Sequence, residues 1–390
     1  MANRRIVLGM MEAPLPFGHT TGRWLSVLLR GLVKRGFDVT AFAAFASESE
    51  RAGCRSMFPE PAYDLRLFPR PRRPGLRAKL DTLRRPMSYT LSAEMIAAFE
   101  REARAADIVH LESTWSGWLG ENCDRARTLL CIHNLYAIDL DPGEGGVRGR
   151  LEAEWLVRAE RAMLRRYPNL TALTPELAAA ARRIAPRSRV DIAPLALDPS
   201  LYPVSHDRES VVLLVGSMRW RPTYAAAVRL IERLWPALRR EVPHARLLIA
   251  GWGAAEMLRQ YRGVEGLDLR SDVPSVQDLF ARSGVLLYAP GAGSGMKIKV
   301  LEAFAQGLPV VTSAPGVEGI PARDGVHAEI AETDEELIRR TAALLRDPAN
   351  AVGMARAARA LIEGPCGPEA ALDRVERLHD EAVAGQRRAA

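Results

Sequence analysis

Short apolar runs alternate with segments of helical periodicity along most of the chain. The runs are continuous, a pattern typical of strands that are buried on both faces of a parallel sheet. In the first half they predict strands at Arg5–Met11, Phe37–Ala43, Asp107–Glu112, Leu129–His133, Leu170–Leu173 and Arg189–Ala193. Regularly spaced leucines predict a helix over Thr20–Arg35, and a longer, highly charged helix is predicted over about Arg148–Arg166.

The same alternation begins again near residue 210. It predicts a helix over Thr223–Glu241 and strands at Val211–Gly216, Arg246–Gly251, Leu267–Leu269, Val285–Tyr288 and Pro309–Thr312. The proline-rich segment 194–203 between the halves indicates an interdomain connection. We therefore expect two doubly wound α/β domains facing a central cleft, over 1–203 and 204–365. A C-terminal helix over 366–390 follows, and packing back on the first domain is one option for it.

Composition agrees with two globular domains. The chain has 390 residues, of which 48% are apolar and 26% charged, so it is expected to be soluble rather than disordered. No apolar run approaches the roughly 18 residues of a membrane-spanning helix, and the N-terminal run is too short for a signal peptide. The four cysteines form no Cys-x-x-Cys pair, which argues against a zinc or disulfide scaffold and favours a reducing cytoplasm.

The net charge of +7 lies in the first half, because residues 206–390 hold 24 bases and 24 acids. Much of the excess falls within 64–85, which is either a solvated loop or a patch for anionic lipid headgroups or a phosphorylated acceptor. A membrane patch would place the protein peripherally at the inner face of the membrane. Nucleic acid is not expected as a partner, because the bases are not interleaved with aromatic residues as a stacking platform requires.

Candidate chemistry concentrates in Gly291-Ala-Gly-Ser-Gly-Met-Lys-Ile-Lys-Val-Leu-Glu-Ala303. Only four of the 54 basic residues are lysines, and two of them, Lys297 and Lys299, lie here. Glycines allow close backbone approach, and the following helix offers free amides and a positive dipole end to an anion. Lysines at a helix N-terminus oppose its dipole, so their placement favours an anionic ligand.

Glu302 lies in a mostly apolar turn of the same helix, so its carboxylate is expected to be partly buried and to need a partner. The vicinal hydroxyls of a ribose would satisfy it. The competing interpretation is an ordinary glycine turn with a Lys299–Glu302 ion pair. The stretch lacks the Gly-Lys-Ser/Thr of a Walker loop, and residues 9–18 lack Gly-x-Gly-x-x-Gly, which disfavours a nicotinamide enzyme.

A second basic turn, Gly216-Ser-Met-Arg-Trp-Arg-Pro-Thr223, lies in the same half. Arg219 and Arg221 have the reach for bidentate contacts to a diphosphate. Alone, two arginines in an arginine-rich chain favour a solvated pair. At the strand ends of the sheet that carries the lysines, they become a candidate clamp.

These residues resemble retaining nucleotide-sugar glycosyltransferases of the two-Rossmann-domain GT-B architecture, which include bacterial polysaccharide and glycolipid hexosyltransferases. The similarity covers nearly the whole chain. Its most specific part is 293–311, which resembles the donor loop and following helix of a glycine-rich subgroup. The turn 216–222 resembles the first turn of the donor domain, and 316–320 resembles a further turn of one subgroup.

The resemblance implies roles for individual residues. Those implied to act in catalysis are His133, Lys299 and Arg219. Those implied to bind substrate are Gly18, Arg221, Val273, Gly293, Ser294, Gly295, Lys297, Glu302 and Glu318. His133, in a His-Asn turn of the acceptor domain, is implied to orient the donor sugar, with a satisfied strand-end histidine as the alternative. The backbone near Val273 is implied to contact the nucleotide base.

Two departures affect what is implied. The family commonly has two glutamates separated by seven residues; here the second is Glu302 and the first position holds Ser294, which leaves the donor sugar open. The adjacent glycine pair of the first turn is reduced to Gly18.

The implied reaction moves a hexosyl group from a UDP- or GDP-hexose to a saccharide or lipid-linked acceptor, as in polysaccharide biosynthesis. Cations and the helix N-terminus would stabilise the departing diphosphate without a metal or another cofactor. Asp139-Leu-Asp141 offers a metal-dependent alternative, because Asp-x-Asp holds manganese in other glycosyltransferases. Further alternatives are an epimerase or phosphorylase of the same fold, a non-catalytic sugar- or lipid-binding relative, or an NAD-dependent oxidoreductase.

Overall fold

The computed structural model describes residues 4–17, 20–71, 82–140, 146–271, 273 and 275–389. The chain divides into two compact units. Unit 1 comprises Met1–Ala196 and Pro368–Ala390, and unit 2 comprises Leu197–Gly367. The first boundary lies inside the proline-rich segment, and the chain returns to unit 1 for its last helix. No helix among the described residues is both long and apolar enough to cross a membrane.

Unit 1 is built on a parallel sheet of seven strands. These are β1 (Arg5–Met10), β2 (Asp38–Phe45), β3 (Asp64–Pro69), β4 (Ile108–Glu112), β5 (Thr128–Ile132), β6 (Asn169–Ala172) and β7 (Arg189–Ile192). Their order across the sheet is β3-β2-β1-β4-β5-β6-β7. The helices are α1 (Thr20–Lys34), α2 (Glu48–Met57), α3 (Ala93–Ala103), α4 (Tyr136–Asp139), α5 (Gly146–Leu164) and α6 (Pro175–Ile184).

The apolar runs explain why this sheet is central to unit 1. Successive side chains of β1 point to opposite faces, and Ile6, Val7 and Leu8 all have no exposed surface, so both faces are covered. Ile6 pairs with residues of both β2 and β4, which places β1 in the middle. The strand order reverses between β1 and β4, and ligands of doubly wound sheets bind at the carboxyl ends of strands at such a reversal.

Unit 2 carries a second parallel sheet, of six strands. These are β8 (Val211–Val215), β9 (Arg246–Ala250), β10 (Leu267–Arg270), β11 (Val285–Tyr288), β12 (Val310–Thr312) and β13 (Glu329–Ile330), in the order β10-β9-β8-β11-β12-β13. The helices are α7 (Arg221–Arg229), α8 (Trp235–Glu241), α9 (Ala254–Met257), α10 (Gln277–Arg282), α11 (Ile298–Ala305), α12 (Asp334–Arg346) and α13 (Pro348–Glu363). Here the order reverses between β8 and β11.

The expected fold class, two doubly wound α/β sheets, is confirmed. The helix predicted over Thr223–Glu241 is confirmed, since residues 221–241 are helical throughout, but a π-helical turn over Leu230–Leu234, which was not predicted, joins α7 to α8. Pro236 lies in the first turn of α8, and its ring nitrogen has no N–H for a helical hydrogen bond. The loop interpretation of 64–85 is wrong in part, because residues 64–69 form β3 and pair along their length with β2.

The last helix, α14 (Pro368–Ala389), belongs to unit 1 and packs on α1. A Cβ atom on Gly31 of α1 would lie only 2.2 Å from a methyl carbon of Leu372, so glycine makes room for that side chain. Arg35, just beyond α1, forms ion pairs with Glu369, Asp373 and Glu376 of α14. Apolar and ionic contacts therefore fix the helix to unit 1.

The carboxyl ends of β8 and β9 approach so closely that Gly251 is required. Its φ of +131° disfavours any side chain, and an added Cβ would lie 2.2 Å from the carbonyl oxygen of Gly216. We expect Gly251→Ala to lower the free energy of unfolding by about 2–4 kcal/mol, measured by urea denaturation. The matched control is Gly263→Ala, whose Cβ would contact nothing within 4 Å. Equal stability of the two variants would contradict this packing.

Candidate active site

The glycine loop, residues 291–297, connects β11 to α11 at the carboxyl edge of the sheet of unit 2. Gly293 and Gly295 have φ values of +129° and +78°, which favour glycine. The helix begins at Ile298, with Lys297 as its N-cap. Gly293, Ser294 and Gly295 therefore belong to the loop, and the helix N-terminus that was expected to face an anion follows them. Ser294 is half-buried within the loop.

Lys297 holds the glycine loop in shape. Its Nζ donates to the carbonyl oxygens of Gly295 and, at 3.4 Å, Gly293. It also lies 3.3 Å from Oε2 of Glu318, whose other oxygen accepts from the amide of Gly295. Both charged side chains are more than nine-tenths buried. The ion pair thus fixes the conformation of the glycine loop. Glu318, which the resemblance implied to bind substrate, makes these contacts to the loop.

Lys299 lies at the reversal of strand order. Its Nζ donates to Oγ1 of Thr223 at 2.8 Å and lies 3.9 Å from the centre of the Tyr288 ring. A Cβ on Gly216 would lie 2.9 Å from the same nitrogen, so only glycine leaves room for it at the end of β8. Burial, reinforced by the charge of Lys297, lowers the pKa of Lys299 to about 7. The ammonium is therefore enclosed between the carboxyl ends of β8 and β11.

Glu302 is 4% exposed and lies one turn after Lys299 on α11. Every residue of this helix from Val300 to Ala305 is buried. The sequence predicted partial burial of the carboxylate, and burial is nearly complete. The negative charge of Glu302 favours the charged form of Lys299. A buried carboxylate and a half-buried lysine thus share the first two turns of α11.

The other predicted donor-side residues lie near the same sheet edge. The guanidinium of Arg219 stacks 4.3 Å above the exposed ring of Trp252, which follows β9. Arg221 is the first residue of α7. Val273 follows β10 and is half-buried. The stacking of Arg219 on Trp252 was not expected from the sequence, since the two belong to turns after different strands.

In unit 1 the predicted His133 lies directly after β5 and contacts a buried carboxylate. Its Nε2 lies 2.5 Å from Oε2 of Glu112, the last residue of β4. The other oxygen of Glu112 accepts from Nε1 of Trp24 at 3.1 Å and lies 3.1 Å from Nε2 of His110. Burial alone would raise the pKa of Glu112, but the hydrogen bonds from the two histidines hold it well below its usual range. Glu112 is therefore ionised.

Glu112 was not singled out from the sequence, although it ends a predicted strand beside His133. A lone glutamate at a strand end gives no local signal for the three donors around it. Gly18 lies outside the described residues. Gly22 lies close to this turn, in α1. A Cβ on Gly22 would lie 2.7 Å from the carbonyl oxygen of Ala13, so the loop after β1 packs directly against the helix.

The segment after His133 is held by a further buried carboxylate. Glu160 of α5 accepts from the amides of Tyr136 and Ala137 at 2.8 and 3.1 Å and so caps α4. Burial raises the pKa of Glu160 to about 7, and these hydrogen bonds oppose the shift. Asp139 is buried and accepts from the side chain of Asn134. Asp141, its partner in the Asp-x-Asp alternative, lies outside the described residues.

Among the described residues, one set of potential metal ligands lies close together. The ligand atoms of Glu112, Cys131 and His133 are within 4.8 Å of one another. Both oxygens of Glu112 already face hydrogen-bond donors, and burial raises the pKa of the Cys131 thiol well above its usual value. Metal ligation needs a thiolate, so this donor set suits a hydrogen-bonded network better than a metal.

Two parallel sheets, each with buried charges at its reversal of strand order, define a protein of the GT-B class. A family model described as "Glycosyl transferase 4-like domain" matches residues 21–196, and one described as "Glycosyl transferases group 1" matches residues 209–347. Together they span most of both units. The chain belongs to the group 1 glycosyltransferases and is an enzyme that transfers glycosyl groups.

Solved structures share this fold across nearly the whole chain. Sucrose-phosphate synthase from Thermosynechococcus elongatus is 16% identical with a TM-score of 0.69, over 98% of this chain and 100% of that one. HepE from Anabaena, in complex with UDP-glucose, is 13% identical with a TM-score of 0.67, over 96% and 99%. WaaG, a glycosyltransferase involved in lipopolysaccharide biosynthesis, is 19% identical with a TM-score of 0.64, over 94% and 98%. No curated protein sequence matches the chain.

Proposed function

We propose that this glycosyltransferase moves a hexosyl group from a nucleoside-diphosphate sugar to a saccharide or lipid-linked acceptor, with retention of anomeric configuration. The observation that carries the proposal is the position of Lys299. Its ammonium is enclosed beside Gly216 and Thr223, where doubly wound sheets bind ligands. A half-buried cation at this edge of the sheet suits the diphosphate of a donor. The fold accommodates such donors, since HepE was crystallised with UDP-glucose.

In the proposed reaction, the bond between the anomeric carbon and the β-phosphate oxygen breaks. A new bond to the acceptor oxygen forms on the same face of the sugar, and the acceptor's proton passes to the departing phosphate. Negative charge on the diphosphate grows as this bond breaks, so a fixed cation stabilises the transition state more than the ground state. Lys299 supplies that charge, assisted by Arg219 and Arg221, and a metal ion is not required.

Unit 2 is assigned the donor's nucleotide. Glu302 accepts hydrogen bonds from the ribose hydroxyls, and the backbone at Val273 contacts the base. Lys297 supports the site by holding the glycine loop, so that the amides and carbonyls of residues 293–295 keep their orientation. Unit 1 is assigned the acceptor, and its His133 is assigned a contact with a hydroxyl of the donor sugar.

A panel of nucleoside diphosphates and nucleotide sugars tests the proposal by thermal shift. A ligand that binds only the folded protein raises its stability by about 2.7 kcal/mol at a hundredfold excess over its Kd. We expect one nucleoside diphosphate, UDP or GDP, and its hexose derivative to be selected. NMR of the transferred product should then show the donor's anomeric configuration. Inversion, a new nucleotide sugar formed without acceptor, or dependence on orthophosphate or manganese would contradict the proposal.

We further propose that residues 64–85 contact an anionic membrane surface. The described bases there include Arg84, which is exposed, and Leu83 is 61% exposed beside it. Basic and exposed apolar side chains together suit a lipid headgroup region, where each base contributes about 1 kcal/mol. Two of the bases are already committed: Arg66 pairs with Glu102, and Arg85 pairs with Glu121. Arg66 and Arg85 are therefore less available to lipid headgroups than the exposed Arg84.

Co-sedimentation with vesicles checks this contact. We expect the protein to sediment with vesicles that contain anionic lipid at low salt, and not with neutral ones. The double variant Leu83→Asp, Arg84→Glu should lose most of this binding. Val352→Asp, which alters an exposed apolar residue of unit 2, serves as the control. No sedimentation of the wild-type protein with anionic vesicles would end the idea.

A further inference from the structure

A row of hydrogen-bonding side chains runs from His133 through the interior of unit 1 to the last helix. Beyond Glu112, the next member is His110 on the same strand, whose Nε2 faces the carboxylate. The Nδ1 of His110 lies 3.0 Å from Nε2 of His379 on α14. His110 and His379 are 2% and 0% exposed, and their rings meet edge to face. We call Trp24, His110, Glu112, His133 and His379 the histidine–glutamate network.

The chemistry of Glu112 fixes the direction of these hydrogen bonds. An ionised carboxylate only accepts, so every group that faces it donates. His133 and His110 therefore both carry a proton on Nε2. In this tautomer His110 accepts at Nδ1, so His379 donates from its own Nε2. The Nδ1 of His379 has no hydrogen-bond partner in the described part of the chain, which suits a lone pair better than an N–H.

These hydrogen-bond directions determine which ring nitrogen of His133 can accept a hydrogen bond. With its Nε2 proton committed to Glu112, this ring presents Nδ1 as an acceptor, and its orientation is fixed by the short hydrogen bond. Groups that orient a functional histidine from behind commonly set its tautomer. We propose that His110 and His379 are positioning residues that act through Glu112, so that α14 completes the site at which His133 binds the sugar.

This proposal deepens the proposed function, on which it rests. It also explains why two histidines, His110 and His379, lie buried in unit 1. His379 is a buried residue of α14 that contacts His110 of β4, and an apolar residue there would avoid the cost of burying an imidazole. The network supplies a reason for that cost, because the imidazole donates the hydrogen bond that keeps His110 in one tautomer.

A matched pair of substitutions at His379 separates positioning from packing. His379→Gln keeps a donor in reach of His110, whereas His379→Leu fills a similar volume and removes the donor. We expect the leucine variant to lose kcat by about tenfold or more, with little change in KM for the donor, and the glutamine variant to stay near wild type. His244→Leu, at an exposed position of unit 2, controls for loss of a histidine.

A second readout does not depend on turnover. ¹⁵N NMR distinguishes the two imidazole tautomers, and comparison with His133→Gln identifies the signals of His133. We expect the Nε2–H form in the wild-type protein and in His379→Gln, and a mixture in His379→Leu. Glu112→Gln should also give a mixture of the two tautomers at His133, because the side-chain amide of glutamine can donate a hydrogen bond to the ring as well as accept one.

Three results would overturn the proposal. One is the Nδ1–H tautomer of His133 in the wild-type protein, and another is equal activity of the leucine and glutamine variants. The third is stoichiometric binding of added Zn²⁺ that shifts the His133 signals. Failure of the proposed function would look different, because the protein would bind no nucleotide sugar while the tautomers still followed the network.

Discussion

Lys299→Met is expected to abolish most transfer activity while making the protein more stable. Methionine retains the length and apolar character of the lysine stem, so the contact with the Tyr288 ring is kept. The variant lacks the charge that meets the departing diphosphate and the hydrogen bond to Oγ1 of Thr223. Loss of one such fixed donor typically lowers kcat by about 10²–10³-fold. Steady-state kinetics with the donor selected in the thermal-shift panel measures the effect.

The gain in stability follows from the pKa of Lys299. The pKa is 10.5 for an unperturbed lysine and about 7 in the folded protein, because burial disfavours the ammonium. Between these values the unfolded chain binds more protons than the folded one, so the free energy of unfolding rises as the pH increases from 7 to 10.5. Over this window the rise attributable to Lys299 is at most about 5 kcal/mol. Lys299→Met should not show it and should melt at a higher temperature at pH 7.

Donor binding should take up a proton for the same reason. The negative diphosphate favours the ammonium, so at pH 8 binding shifts neutral Lys299 to its charged form. Calorimetry in two buffers of different ionisation enthalpy should show about one proton bound by the wild-type protein and none by Lys299→Met. Lys34→Met, at a side chain that is 82% exposed, is the control. Wild-type turnover of Lys299→Met would remove this lysine from the site.

Glu302→Ala is expected to weaken nucleotide binding severely. A buried carboxylate that accepts from ribose hydroxyls contributes about 1.5–3 kcal/mol per hydrogen bond, so the Kd for the nucleoside diphosphate should rise by roughly 10–100-fold or more. Isothermal calorimetry gives the affinity. Since the neighbours of Glu302 from Val300 to Ala305 are apolar and buried and alanine favours helix, Glu302→Ala should leave α11 intact.

A modified ligand makes this test specific for the ribose. The 2′,3′-dideoxy nucleoside diphosphate should bind the wild-type protein as weakly as the natural nucleotide binds Glu302→Ala. The variant itself should not distinguish the two ligands, because the carboxylate that reads the hydroxyls is gone. Glu335→Ala, at an exposed carboxylate of α12, is the control. If Glu302→Ala still preferred the natural ribose, another group would be responsible for reading it.

Of the thirteen strands in the described part of the chain, eleven could be predicted from the sequence, most of them as short and mainly apolar runs. The two that were missed lie at sheet edges. β3 reads Asp-Leu-Arg-Leu-Phe-Pro and is exposed or half-buried at all but one position, so its charged residues hide the strand. β13 has only two residues. An edge strand has one neighbour rather than two, and its apolar signal is correspondingly weak.

The residues of the candidate site also differ in how well the sequence alone could identify them. Lys297, Lys299 and Glu302 lie within six consecutive residues, so their spacing alone drew attention to them. The pairing of Lys297 with Glu318 joins residues 21 positions apart, and the contact of His379 with His110 joins residues 269 apart. Such pairs depend on how distant elements pack, which periodicity and local motifs do not encode. The sequence therefore identified the candidate donor-site residues of α11 better than the network behind His133.

The return of the chain to unit 1 for α14 has a consequence for biosynthesis. When the ribosome has completed residue 196, all seven strands of the first sheet have been made, but Gly31 and Arg35 still await the helix that covers them. His110 lacks its histidine partner for the same period. Maturation of unit 1 thus waits for the last residues to emerge, after unit 2 has been synthesised. A nascent chain stalled before Pro368 should remain a substrate for chaperones and proteases until elongation resumes.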